Sequence, residues 1–158
     1  MKDVTLTINK AVVYDEVAKT TAYAGLKMLA DDSTAYARVF TTDEDRQLLE
    51  RFWVETCNAV ATQLSPFMTG ISEQPLSHGV DLERNFVVEL EMSSSYNETL
   101  TGSIEAALHS FFVLAIVSKW YKIANKAEAD AVGAEAVGIM ADIQRKLFYR
   151  QKPKYVAP

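Results

Sequence analysis

Bond-making in a chain like this would have to start from its few nucleophilic or proton-transferring side chains. Two histidines, His78 and His109, and one cysteine, Cys57, occur in 158 residues. Imidazole is the usual proton shuttle and metal ligand near neutral pH, yet neither histidine has a second one at helical spacing, and no HExxH or CxxC occurs. Zinc is therefore not expected. His78 sits in a glycine- and proline-flanked stretch and reads as solvated, while His109 lies within an apolar run and reads as satisfied at a packing edge. Cys57 shares a stripe with Leu49, Phe52, Trp53, Val60 and Leu64, which predicts a buried, inert thiol. A single thiol forms no internal disulfide.

Carboxylates are more abundant, as Asp31-Asp32, Asp43-Glu44-Asp45 and Glu89-Glu91. The middle group reads as helix capping and the last as a solvated strand face, so neither defines an acid–base pair. GxGxxG and GxxxxGK[ST] are absent, which removes those two phosphate cradles. His78, Asp81 and Glu83 are what remains for an enzyme. The expectation is no enzyme: no catalytic, cofactor-binding or metal-ligating residue, and no cofactor. Met28, Met68, Met92 and Met140 are scattered, as core gap-fillers are.

The elements that must position these residues follow from periodicity. Val4, Leu6 and Ile8 alternate with Thr5 and Thr7, a short half-buried strand. From Lys10 the period lengthens through Val13, Val17, Thr20 and Ala24 to a helix ending near Gly25 or Met28. Thr34 to Phe40 supplies a helical turn or two. Thr41-Thr42-Asp43-Glu44-Asp45 opens the next helix, with a hydroxyl expected to accept backbone N–H groups, and Pro66 closes it by driving Ser65 out of helical geometry. Thr69 to Arg84 carries no period and reads as a long loop.

Phe86, Val88, Leu90 and Met92 alternate with Val87, Glu89 and Glu91, a second strand. Two strands are unstable alone, so they are expected to pair with each other or with a neighbouring copy. Glu98 to Ala124 is the longest helical stretch, apolar all round in its middle and so suited to the centre of a bundle. Its most apolar window, Phe111 to Val117, is far short of the roughly 20 residues a membrane span requires, and no membrane is expected. Asn125 ends it in left-handed geometry. A last helix runs to about Tyr149 on the stripe Val132, Ala136, Met140, Ile143 and Leu147, with Gly133 and Gly138 permitting close approach of another helix or subunit.

Composition agrees with a folded chain: 49% of residues are hydrophobic and 23% charged, with a net charge of −5. The reading is one mainly α domain over 1–158. It is a helical bundle of about four helices with two short β-strands, as a small hairpin or an intersubunit pairing, and a basic tail from about 145. Past Asp142 there is no acid, and Arg145, Lys146, Arg150, Lys152 and Lys154 make a cationic end on an acidic body. Cations at a helix C-terminus complement its dipole, and they also suit subunit docking. With Phe148 and Tyr149 interleaved they suit nucleic-acid phosphates, although an overall pI near 5.1 weighs against free DNA binding. No leader is visible in Met1 to Thr7.

The C-terminal half, with Ser118-Lys119-Trp120-Tyr121, an Ala/Glu-rich helix and Arg145-Lys146-Leu147-Phe148-Tyr149-Arg150-Gln151-Lys152-Pro153, resembles small virion structural proteins encoded by prophages. It is similar to head-to-tail connector or neck proteins. The resemblance covers roughly Glu44 to Pro153; the opening strand departs from the helical start common in connectors. It implies a non-enzymatic protein that assembles through its interfaces, as a homo-oligomer or with other virion proteins, cytoplasmic before assembly and then in the virion. Interface candidates are the strands (Val4, Leu6, Ile8, Phe86, Val88, Leu90), the glycines Gly133 and Gly138, and the tail residues Arg145, Lys146, Phe148, Tyr149, Arg150 and Lys152. Nucleic-acid contact is expected only through that tail. The alternative is a small-ligand-binding or regulatory helical domain with a pocket among Phe52, Trp53, Phe111 and Trp120.

Overall fold

The computed structural model describes residues 1–28, 34–76, 80–153, 155 and 157–158; Asp31, Asp32, His78 and Lys154 lie outside them. Strand β1 (Lys2–Ile8) turns Val4, Leu6 and Ile8 inward, as their alternation requires. Helix α1 (Lys10–Met28) follows at once, because the Asn9 side chain accepts the Val12 N–H at 3.1 Å and caps the new helix. A short α2 (Ala35–Val39) leads to a 3-10 turn over Asp43–Asp45 and then α3 (Arg46–Leu64). The cap there runs opposite to the sequence expectation. The Asp45 carboxylate accepts from the Thr42 N–H at 2.8 Å and from the Thr42 hydroxyl at 3.1 Å, so the acid reaches back and the hydroxyl donates.

The end of α3 also differs in mechanism. Ser65 keeps helical dihedrals (φ −51°, ψ −36°), so Pro66 does not push it into extended geometry. What Pro66 removes is an N–H, and the Ser65 hydroxyl takes its place by donating to the Thr62 carbonyl at 2.9 Å.

Within the stretch expected to be loop lies a third strand, β2 (Met68–Ile71), and β3 (Phe86–Met92) follows. The sheet is antiparallel in the order β1-β3-β2, with Val4 opposite Leu90, Leu6 opposite Val88 and Ile8 opposite Phe86. The two expected strands therefore pair inside one chain. A bulge between Met68 and Gly70 breaks the register of β2.

The Asn97 side chain accepts the Thr99 N–H at 3.2 Å and starts a 3-10 turn that continues into α4 (Thr101–Ala124). Asn125 alone separates α4 from α5 (Lys126–Leu147). Its φ of −156° and ψ of 71° are not left-handed; the reversal is made by one extended residue whose N–H still reaches the Tyr121 carbonyl at 2.7 Å. The two helices lie antiparallel, and Lys146 near the end of α5 donates to Ser103 near the start of α4.

The result is mainly α with a small sheet, and α4 is its axis, packed on α1, α2, α3, α5 and β1. Phe112 joins the layers, its ring 4.8 Å from that of Trp53 on α3 and 5.4 Å from that of Phe86 on β3. By length and composition alone Glu98–Ala124 is apolar enough to cross a bilayer, which its short central window did not suggest. Ile104, Leu108, Phe112, Ile116 and Val117 are nonetheless buried inside the domain, where they form much of the core.

Candidate functional site

The densest group of reactive side chains lies where the start of α1 meets α3. Lys10 follows β1 directly, its N–H held by the Asn85 side chain at 3.1 Å, and it shares a buried stripe with Val13, Tyr14 and Val17. Its ammonium is wholly buried and sits 2.5 Å from the Glu50 carboxylate. The Tyr14 hydroxyl donates to the same carboxylate at 2.7 Å. The ammonium also lies 5.8 Å and 5.7 Å from the ring centroids of Tyr14 and Trp53, within cation–π range.

Lysine, glutamate and tyrosine in this order would serve proton transfer if substrate reached them. A cleft of about 240 Å³ does reach Tyr14, Asp15 and Arg46, but Lys10 and Glu50 are not among its lining residues. Burial, then the hydrogen bond to Glu50, pushes the Tyr14 hydroxyl far above its ordinary range. Burial likewise pushes the Cys57 thiol up, against the pull of Lys10. The donors and acceptors of the cluster thus satisfy one another, and the groups nearest it are held in their neutral forms. Its chemistry is that of a buried structural ion pair.

The other reactive groups lie apart. His109 Nε2 meets Glu16 Oε1 at 3.0 Å, tying α4 to α1 at a half-buried edge. Asp81 accepts the Glu83 N–H at 3.0 Å in an exposed turn. Among the described residues no three His, Cys, Asp or Glu side chains converge as a metal would require. The aromatics considered for a pocket are core pieces: Trp53 Nε1 donates to Gln74 at 3.1 Å, Trp120 Nε1 to the Val39 carbonyl at 2.7 Å, and Phe52 is buried. Phe111 is half-buried against the same core.

The interface candidates divide by position. Val4, Leu6, Ile8, Phe86, Val88 and Leu90 all point into this chain's own core, so a partner would meet the backbone edge of the sheet and not these side chains. Gly133 is used internally: a Cβ there would stand 3.0 Å from Ser118 Oγ, which donates to the Ala129 carbonyl. At Gly138 a Cβ would meet nothing within 4 Å.

The tail is fastened as far as Gln151. Lys146 pairs with Asp142 at 3.0 Å, Phe148 packs its ring 5.4 Å from Phe67, and Arg150 forms a bridge with Tyr96. The Tyr149 carbonyl accepts the Asn97 N–H at 3.3 Å, and the Gln151 N–H reaches the Ser95 carbonyl at 2.8 Å. Arg145 and Lys152 remain exposed, and Phe148 and Tyr149 keep half or more of their surface in solvent.

Beside Gly138 runs a continuous face. Ala127, Ala131, Ala134, Gly138 and Ala141 recur at spacings of four and three along α5, all exposed, and Val137 beside them is 70% exposed. Compared with models of protein families, with curated proteins and with solved structures, the chain matches none. The surface therefore has to be read on its own chemistry.

Sequence reasoning missed Lys10 and Glu50 because charged residues are usually exposed. The signal was present: Glu50 lies three residues before Trp53 and seven before Cys57, which places it on their stripe. It grouped Gly133 with Gly138 as one place of close approach, whereas Gly133 faces Ser118 inside the domain and only Gly138 lies on the outward face.

Proposed function

We propose that this protein is a non-enzymatic structural component of a phage or prophage virion, acting in head–tail assembly through contacts with sister copies or adjoining virion proteins. The observation that carries the reading is the outward face of α5. A 22-residue helix presents alanines, a glycine and an exposed valine at coiled-coil spacing, where a second helix can approach closely. The resemblance of the C-terminal half to connector-type proteins supplies the setting, with folding in the cytoplasm and residence in the particle.

The outer edge of β2 adds a second means of contact, since strand edges carry unpaired backbone groups. Arg145 and Lys152 give the tail end of the molecule positive charge for an acidic neighbour or for packaged nucleic acid. Size-exclusion chromatography with light scattering over a wide concentration range tests the reading, with Val137→Asp as the interface variant. Concentration-dependent oligomers that Val137→Asp removes, with its helical spectrum intact, are expected. A wild-type chain that stays monomeric alone and with neighbouring virion proteins would overturn it.

A further inference from the structure

The outward side of α5 carries an order of charge that fixes which way a second helix would lie on it. Before Val137 the exposed charges are Lys126 at the helix start and then Glu128, Asp130 and Glu135. After Val137 the exposed charge is Arg145, since Asp142 is held by Lys146 at 3.0 Å. Arg145 turns its Nε back to the Ala141 carbonyl at 3.4 Å, and among the described residues neither it nor Asp130 has an ion-pair partner. Acids near a helix start and cations near its end both suit the helix dipole, so this order alone calls for no partner. What calls for one is how it coincides with the apolar positions.

Val137 is 70% exposed, and beside it a Cβ on Gly138 would meet nothing within 4 Å, so a protruding side chain stands next to bare backbone. A two-fold axis between them sets the Val137 of each copy over the Gly138 of the other. The same axis places Ala134, three residues before Val137, against Ala141, three residues after Gly138. It places Asp130, seven before, against Arg145, seven after. Three and seven residues are spacings at which side chains return to one side of a helix, so these contacts all fall on the solvent side of α5. A parallel arrangement instead sets Arg145 against Arg145 and Asp130 against Asp130, which repel.

We propose that the outward face of α5 binds the α5 of a second copy, antiparallel about a two-fold axis between Val137 and Gly138, with Asp130 of each copy paired to Arg145 of the other. The inference rests on the reading of this face as an assembly surface and adds to it the partner and its direction. An unrelated helix would match this pattern only by chance, whereas a second copy matches it by symmetry. Alanine and glycine let the two backbones come within the roughly 8–10 Å usual for packed helices, near enough for aspartate and arginine to meet at the rim. Such a pair uses the face once on each copy and closes at a dimer, leaving the outer edge of β2 and the basic tail for other neighbours.

The test is sedimentation equilibrium of the full chain with Arg145→Asp, with Asp130→Arg and with both, helical content being followed by circular dichroism. Each single reversal puts like charges at both rims and is expected to raise the dimer dissociation constant by about tenfold; the double reversal should return it to within about threefold of the wild type. Mild oxidation gives a second readout that stands even if a reversal disturbs the fold. In a Cys57→Ala background, Ala134→Cys mixed with Ala141→Cys should form the mixed disulfide in preference to either homodimer. Preferred homodimers, single reversals that leave association unchanged, or a double reversal no better than the singles would each overturn the antiparallel pair, even where the wild type associates and Val137→Asp abolishes it. A wild type that stays monomeric would overturn the assembly reading and this inference together.

Discussion

The ammonium of Lys10 and the carboxylate of Glu50 meet 2.5 Å apart with side-chain exposures of 0% and 6%, joining the first turn of α1 to the first turns of α3. Removing one partner of such a pair leaves an uncompensated buried charge, which costs about 3–5 kcal/mol. That is a large share of the roughly 5–15 kcal/mol by which domains are stable. Lys10→Met is therefore expected to lower the urea midpoint severely. Lys10→Met with Glu50→Gln should recover most of the loss, because the amide oxygen still accepts from Tyr14 without a charge to bury. Additive losses in the double variant would show that the two groups are not coupled.

Gly25 and Gly138 should respond to alanine in opposite directions. A Cβ on Gly25 would stand 2.8 Å from the Cα of Tyr36, so α2 would have to move away from α1, at a cost of about 1–3 kcal/mol. A Cβ on Gly138 meets nothing, and the gain in helix propensity is about 0.5–1 kcal/mol. Thermal unfolding at a dilution where the chain is monomeric should give a lower midpoint for Gly25→Ala and a higher one for Gly138→Ala. Equal shifts would contradict the stated packing.

Much of this fold is legible in the residues, and the gaps have physical reasons. Alternation at Val4, Leu6 and Ile8 and at Phe86, Val88, Leu90 and Met92 marks two strands because one sheet face is buried and the other is not. β2 escapes the same test because it has four residues and a bulge, and although its exposure alternates, Gly70 takes a half-buried position and Ile71 an exposed one, so the residue types show no apolar alternation. The break at Asn125 is visible, but its geometry is set by the packing of α4 on α5 and not by asparagine's own preference for left-handed turns. A cleft of about 660 Å³ between α1 and the α4–α5 turn is invisible to periodicity, since it gathers residues from around 20–28 and 121–132 that no local pattern links.

Cys57 and Tyr14 predict an alkaline limit to stability. Both are held protonated in the fold by burial above all, whereas in the unfolded chain a thiol ionises near pH 8.5 and a phenol near pH 10, roughly their free values. The folded chain then binds more protons than the unfolded one, so the contribution is complete below pH of about 8.5 and is lost as pH rises further. Urea unfolding at increasing pH should show declining stability, with a shallower decline in Cys57→Ala between about pH 8.5 and 10. Ellman's reagent should leave native Cys57 unmodified at pH 8 and react at once after denaturation; rapid native labelling would contradict the buried thiol.

Thr7 offers a separate handle on assembly. It lies on β1, an edge strand, and donates its N–H to the Glu105 carboxylate of α4 at 3.0 Å. A carboxylate seated on an edge N–H blocks the approach of another strand there, as charged groups at sheet edges commonly do. Glu105→Ala would bare the N–H at a stability cost of about 0.5–1.5 kcal/mol, the usual net worth of one hydrogen bond. Sedimentation velocity should then reveal larger species than the wild type forms, while Glu105→Gln, which keeps an acceptor, should match the wild type. If Glu105→Ala leaves association unchanged but Val137→Asp abolishes it, copies meet through the outward face of α5 alone and the β1 edge takes no part.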